Sequence, residues 1–384
     1  MNQNQLFSGS FSGKTVLVTG HTGFKGAWLS VWLKELGANV IGYALEPPTE
    51  PSLFEQCNLS KKIRSIIGDI KDLKHLQSVI NETQPEIIFH LAAQPLVRES
   101  YSNPVETVST NVLGTVHVLE AIRQKDSSVR VCQIVTSDKC YENDESNRAY
   151  GENDRMGGHD PYSASKGCAE LMIAAYRKSF FSADSISKHG ISLSSVRGGN
   201  VIGGGDWRSD RIIPDCIRAL AQNKPILVRN PHAIRPWQYV LDCLSGYLRL
   251  AEYQMSGSDV YASAWNFGPK PTETLTVAAL TEKVIKYWGC GAWIQQNNQG
   301  EQPQNFLHEA SFLSLDCSKA NKILAWQPVY HLDESLEETV HWYWDIQNHK
   351  NDSAYDYTVS QIQKYTQTAK ERKHSWAIHE KALR

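Results

Sequence analysis

The chain has 384 residues, 41% hydrophobic and 21% charged, with 39 Lys and Arg against 41 Asp and Glu for a formal net charge of −2. That length suits a large core and about two lobes, and the balanced charge leaves no basic surplus for nucleic acid or an anionic membrane. The eight cysteines are scattered, with no C-x-x-C pair and no Cys/His spacing for zinc, so they read as reduced cysteines of a cytoplasmic protein without a metal site.

In chain order, Met1 to Lys14 is polar and lacks the apolar core of a signal peptide. No later run reaches the roughly 18 apolar residues of a membrane span. Residues 15–19 (Thr-Val-Leu-Val-Thr) form a short buried-strand run, followed by Gly20-His-Thr-Gly23-Phe-Lys-Gly26. Trp28, Leu29, Trp32, Leu33 and Leu36 then recur at helical spacing until Gly37 stops them. Between a strand and a helix, glycines at 20, 23 and 26 permit a tight turn and close approach of a pyrophosphate to the helix N-terminus. Phe24 packs that turn.

Further strands are expected at 39–44, 65–68, 86–91, 129–137 and 191–196, with helices at 72–82, 111–124 and 163–178. Strands alternating with helices imply an α/β fold with a doubly wound parallel (Rossmann) sheet and right-handed crossovers. Beyond Gly198 the pattern loosens: 198–205 reads as a glycine loop, and 211–222, 225–228 and 276–287 are short segments. We therefore expect a dinucleotide-binding domain over 1–197 and a smaller substrate-binding lobe over 198–345, some of whose segments return to the sheet. A polar arm over 346–384, extended or helical, would follow.

The acid that ordinarily closes the second strand and binds the adenosine ribose is missing, since the strand reads Val40-Ile-Gly-Tyr-Ala44-Leu, and no arginine stands ready for a 2′-phosphate. NAD and NADP both stay open on that strand. Asp69, in Gly68-Asp69-Ile70, either accepts from the adenine amino group or caps the helix after it.

The chemistry gathers in two blocks. Ser137-Asp138-Lys139 ends an apolar strand, and Tyr162 and Lys166, four apart, share one helix face. An ammonium beside a phenol stabilises the phenolate and lowers its pKa below roughly 10. Tyr162 could then take a proton from a sugar hydroxyl while hydride leaves the same carbon. Asp138 and Lys139 add an acid and a second ionisable group, more than alcohol oxidation needs. The bland reading makes them a solvated loop pair.

Together Gly20/Gly23/Gly26, Gly68-Asp69-Ile70, His90-Leu91-Ala92-Ala93, Asn111-Val-Leu-Gly114-Thr115 and Tyr162/Lys166 resemble the extended short-chain dehydrogenase/reductase family over about residues 12–345. Later echoes are Arg235 with Val240 and Asp242, Trp265-Asn-Phe-Gly268, and Leu324-Ala-Trp-Gln-Pro328. Thr136-Ser-Asp-Lys-Cys-Tyr141, Arg197-Gly-Gly-Asn-Val-Ile-Gly-Gly-Gly-Asp-Trp207, Arg211-Ile-Ile-Pro214, Arg235-Pro-Trp-Gln-Tyr239 and His308-Glu-Ala310 narrow the likeness to nucleotide-sugar 4,6-dehydratases. Within these it is similar to the branch acting on CDP-glucose. The general dehydratase pattern is threonine-aspartate-glutamate, and Ser137 and Lys139 replace its outer members.

The resemblance implies NAD as cofactor, held by Gly20, Gly23, Phe24, Gly26, Asp69, Ile70, Leu91, Ala92, Ala93, Asn111, Tyr162 and Lys166. It implies an internal redox cycle on a nucleotide sugar such as CDP-glucose. Tyr162 and Ser137 act at O4, Lys166 tunes the tyrosine, Asp138 protonates the departing C6 hydroxyl, and Lys139 is the C5 base. Alternatively Lys139 only stabilises the enolate and Asp138 or another group moves the proton. For the sugar nucleotide the candidates are Arg235 and then Arg211 for the diphosphate, Asn200 for diphosphate or ribose, and Gln94, Arg98 and His308, with Trp237 against a base. The family further implies a homodimer or homotetramer paired through helices 111–124 and 163–178, and a place in deoxysugar and O-antigen synthesis. Dehydratases for GDP-mannose or dTDP-glucose, a nucleotide-sugar 4-epimerase, and a non-catalytic NAD(P)-sensing protein are the competing readings.

Overall fold

The computed structural model describes residues 3–124, 127–144, 146, 148–270, 273–296, 313–348 and 353–378. Its strands are β1 (Thr15–Thr19), β2 (Asn39–Ala44), β3 (Arg64–Ile67), β4 (Ile87–His90), β5 (Val131–Val135), β6 (Ala149–Tyr150) and β7 (Ser192–Gly198). They continue as β8 (Asn200–Ile202), β9 (Ile226–Val228), β10 (Ile234–Tyr239), β11 (Ala264–Phe267), β12 (Thr274–Thr276), β13 (Trp293–Gln295) and β14 (Ser314–Leu315). Seven of them make one sheet in the order β11-β7-β5-β4-β1-β2-β3, all parallel. The doubly wound parallel sheet expected from the alternating pattern is therefore present.

Strands β1, β4 and β5 are apolar runs because helices cover both faces of the sheet. Side chains alternate between those faces. Val16 and Val18 join one core with Trp28, Trp32 and Leu244, while Leu17 joins the other with Ile88, Val118 and Ile173. The buried amide of β5 is anchored through its nitrogen: Gln133 Nε2 donates to Tyr247 O and Gln254 Oε1, both at 2.9 Å. The direction of winding reverses between β1 and β4, which opens a crevice beyond their carboxyl ends.

The second half of the chain departs from the sequence pattern in two ways. Residues 198–205, read as a loop, contain β8, which pairs in parallel with β10 (Trp237↔Asn200). The Trp265-Asn-Phe motif is the seventh strand of the main sheet, pairing with β7. Four residues are too few to show a period, so only the neighbouring strand reveals it. The β6–β14 and β9–β13 pairs are two further two-stranded parallel sheets.

The polar arm is a helix, Ala354–Glu371, N-capped by Ser353 and laid on the helix Phe24–Glu35. It buries Tyr355, Ile362, Tyr365 and Ala369, a narrow aromatic stripe in an otherwise polar sequence. Tyr355 Oη donates to Glu35 at 2.6 Å and Tyr365 Oη donates to Asp242 at 2.7 Å. Trp376 stacks on Phe7 with ring centroids 4.9 Å apart. Among the described residues no helix is long and apolar enough to cross a membrane.

Candidate active site

A cleft of about 1750 Å³ runs along the carboxyl ends of β1, β2, β4 and β5 and under the segments around β8, β9 and β10. It is large enough for two extended ligands side by side, since a drug-sized site takes roughly 300–1,000 Å³.

One end fits a dinucleotide. Gly20 follows β1 with φ +75°, and a Cβ there would lie 2.7 Å from Ala92 N. A Cβ on Gly26 would lie 2.1 Å from Gly20 O, so the turn and helix touch backbone to backbone. The helix Phe24–Glu35 starts from Gly23 with no side-chain cap and no acid in its first turn. Its first N–H groups and dipole are thus available to a phosphate. Phe24, Asp69, Ile70, Leu91, Ala92 and Ala93 line the same end. Asp69 is not the helix cap: Asp72 is, accepting from His75 N, while Asp69 Oδ1 accepts from Lys71 N at 2.9 Å. An acid does stand near the end of β2, but two residues later, at Glu46.

The reacting groups come from two elements. Ser137 caps a single 3-10 turn, Asp138–Cys140, directly after β5. Tyr162 and Lys166 lie in the first turns of the helix Pro161–Ser179, which starts on Asp160 with Pro161 at its first position. All five of Ser137, Asp138, Lys139, Tyr162 and Lys166 line the cleft. Ser137 Oγ donates to Asp138 Oδ1 at 2.9 Å, and Lys139 N donates to the same oxygen at 2.9 Å.

Burial dominates the titration of these groups. It pushes the Asp138 carboxyl up, against Lys139 and the hydrogen bond from Ser137. The Tyr162 phenol is pushed up to about 12 by burial, with Ser137 and Arg211 opposing. Burial, helped by Lys25, pushes the Lys166 ammonium down to about 8. This corrects the expectation that Lys166 holds the phenol below its ordinary value. Inside the protein the cost of desolvating a phenolate outweighs Ser137 and Arg211, the groups that favour its ionised form.

Asn111 and Gln94 do not line the cleft. Asn111 Nδ2 donates to Gln94 O at 3.0 Å and Ser165 Oγ at 2.9 Å, and its Oδ1 accepts from Gln94 N at 2.8 Å. Gln94 Nε2 is taken by Leu96 O and Thr107 Oγ1. Both residues tie the β4 loop to the catalytic helix instead of facing a ligand.

Arg98, Asn200, Arg211, Arg235 and Trp237 line the other end. Arg211 pairs with Asp206 at 2.7 Å and is near enough to Tyr162 to favour its ionised form. Arg98 and Arg229 both approach Asp210, at 3.7 and 3.4 Å. His308 lies outside the described residues. Sequence reading missed Lys25, Glu46, Asp206 and Arg229, all of which line the cleft. Lys25 was legible in the glycine turn, whereas Arg229 carries no local signal.

A family model described as GDP-mannose 4,6 dehydratase matches residues 17–339. The chain is 51% identical over 334 residues to a CDP-glucose 4,6-dehydratase of Salmonella typhimurium, covering 87% of this chain and 91% of that protein. It is 25% identical over 352 residues to a dTDP-glucose 4,6-dehydratase of Haemophilus influenzae, covering 85% and 97%. Among solved structures, dTDP-glucose 4,6-dehydratase from Bacillus anthracis in complex with NAD superimposes with a TM-score of 0.69 at 20% identity, covering 88% of this chain and 98% of that one. UDP-glucose 4-epimerase from Thermotoga maritima gives 0.70 at 20% identity, covering 87% and 100%. With the match running from β1 through the catalytic helix to beyond β14, the chain belongs to the GDP-mannose 4,6 dehydratase family.

Proposed function

We propose that this chain dehydrates CDP-glucose to CDP-4-keto-6-deoxyglucose and water, using NAD. The carrying observation is the half-identical match to the Salmonella CDP-glucose 4,6-dehydratase along nearly the whole of both chains. The glycine turn, Asp69, Ile70 and the Leu91–Ala93 segment would hold NAD. The Glu46 carboxylate near the end of β2 would repel a 2′-phosphate, which favours NAD over NADP. Bound there, NAD supplies the two-electron acceptor needed at C4 and the donor needed at C6.

The protein's own groups carry the protons. Tyr162 takes the proton of O4, with Ser137 hydrogen-bonding the same oxygen and Ser137 and Arg211 favouring the phenolate against burial. The ketone formed at C4 acidifies the C5 hydrogen, and Lys139 accepts that proton. Asp138, whose burial favours its protonated form, delivers a proton to the departing C6 hydroxyl. Arg235, Arg98 and Arg229 surround the end where a diphosphate would lie, and Asn200 faces it.

We place the enzyme in the cytoplasm, where nucleotide sugars are made and used for deoxysugar and O-antigen synthesis. A homodimer or homotetramer is supported by exposed Leu171 on the catalytic helix and exposed Val105, Val108 and Leu113 in the helical segment 104–113. The deciding experiment incubates purified protein and NAD with CDP-glucose, dTDP-glucose, GDP-mannose and UDP-glucose. Alkali-induced ketone absorbance with CDP-glucose alone supports the proposal. A 4-epimer, or preference for another nucleotide, overturns it.

A further inference from the structure

The reacting groups sit on two separate elements, the turn after β5 and the helix Pro161–Ser179, and their common target is one sugar oxygen. Something must hold the two in register. On the helix, one turn beyond Lys166, stands Glu170, which is buried. Its Oε1 accepts from Thr136 Oγ1 at 2.5 Å, the residue immediately before Ser137. Its Oε2 accepts from Ser195 Oγ at 2.8 Å and from Arg197 Nη2 at 2.7 Å, both on β7. Arg197 is buried too, and its Nη1 donates to Tyr141 Oη at 2.6 Å, the residue just after the turn Asp138–Cys140. Tyr141 in turn donates to Asn266 Oδ1 at 2.8 Å on β11.

Thr136 and Tyr141 bracket Ser137, Asp138 and Lys139, and both are tied to the same ion pair. Burial opposes the charge on Glu170, but Arg197 and the two hydroxyls hold its carboxyl below the usual range, so the pair stays ionised. A buried pair is poor evidence for stability alone, since an apolar filling of equal volume often does as well. Its distinguishing feature here is where it is attached.

We propose that the buried Glu170–Arg197 pair is the positioning device of the active site, clamping both ends of the Ser137–Lys139 turn to the helix that carries Tyr162 and Lys166. The inference rests on the dehydratase reading for its kinetic test only. Glu170 and Arg197 touch no substrate; they act through Thr136 and Tyr141. Glu170 also faces Lys166, together with Lys25 from the glycine turn, His90 at the end of β4 and Cys140 from the clamped turn. It is an acid that favours the ammonium form there.

The test uses Thr136→Val, which removes one strand of the clamp and leaves the ion pair whole, beside Thr136→Ser and Glu170→Gln. A displacement near 1 Å at reacting groups costs on the order of 10²-fold in rate. Thr136→Val should lower kcat at least tenfold with KM for CDP-glucose within threefold and the melting temperature little changed. Amide hydrogen exchange in the peptide spanning 137–141 should quicken, and Thr136→Ser should restore both. Glu170→Gln, if folded, should also move the alkaline limb of kcat to lower pH. Wild-type turnover with both Thr136→Val readouts unchanged would overturn the clamp and leave the proposed function standing. Wild type inert with CDP-glucose would overturn the function, while the exchange rates would still decide the clamp.

Discussion

Gly26→Ala tests the cofactor end of the cleft through a single methyl group. An ideal Cβ at Gly26 falls 2.1 Å from Gly20 O, 2.8 Å from Gly20 C and 2.9 Å from His21 Cα. Ordinary contact begins near 3.4 Å, so the glycine turn and the helix must part by about 1.3 Å, the difference between 3.4 and 2.1 Å. All three atoms are backbone, and Gly20 O already accepts from Gly23 N at 3.1 Å. No side chain can swing away, so the turn itself must open and its N–H groups leave the pyrophosphate. Overpacking of this kind costs about 1–3 kcal/mol, which at about 1.4 kcal/mol per tenfold is a roughly 5- to 150-fold loss of affinity. Titration of NAD by tryptophan fluorescence should show that loss, with far-ultraviolet dichroism unchanged. Gly23→Ala is the control: its Cβ meets only Gly20 O, at 3.3 Å, and its φ of −81° suits any residue. It should lose less than tenfold. Gly26→Ala binding NAD within threefold of wild type would refute the reasoning.

Asp138→Asn should leave C4 oxidation and solvent exchange at C5 intact while slowing loss of the C6 hydroxyl by roughly 10²–10⁴-fold, the usual worth of a general acid. Deuterium incorporation at C5 without product would show it, and Lys139→Ala should instead abolish the exchange. The Lys166 ammonium, pushed down to about 8 by burial, is the working form, so kcat should fall as pH rises through 8. Because the unfolded lysine keeps its proton to 10.5, the unfolded chain binds more protons between 8 and 10.5, and this group makes stability rise with pH there. Asp242 behaves in the opposite sense. Burial raises it from 3.8 to about 7, so the folded state binds the extra proton and this group's contribution to stability falls as pH rises from 3.8 through 7. Melting curves across that window should decline less in Asp242→Asn than in wild type.

Much of the fold was legible because the first half of the chain punctuates itself. Residues 39–44 were read as a strand with the observed bounds, and the catalytic helix expected at 163–178 runs Pro161–Ser179. Glycines at 20, 23 and 26, and a tyrosine and lysine four apart, carry their meaning within a few residues. β11 was not legible, and the arm that holds the helix Ala354–Glu371 could be read only as extended or helical. One is four residues long, and the other shows its aromatic stripe only once the helix Phe24–Glu35 is there to receive it.

The same division runs through the site. The sequence by itself determined which groups could react, since hydroxyls, carboxylates and ammonium groups are properties of residues and their order along the chain. It could not say that Asn111 and Gln94 turn inward to brace the catalytic helix, or that Arg211 reaches toward Tyr162. Nor could it give the titration of Tyr162 and Lys166, which moved toward their uncharged forms. Those outcomes depend on who is near in space and how much water is left, and both are set only when β5, β7 and the catalytic helix close around one another.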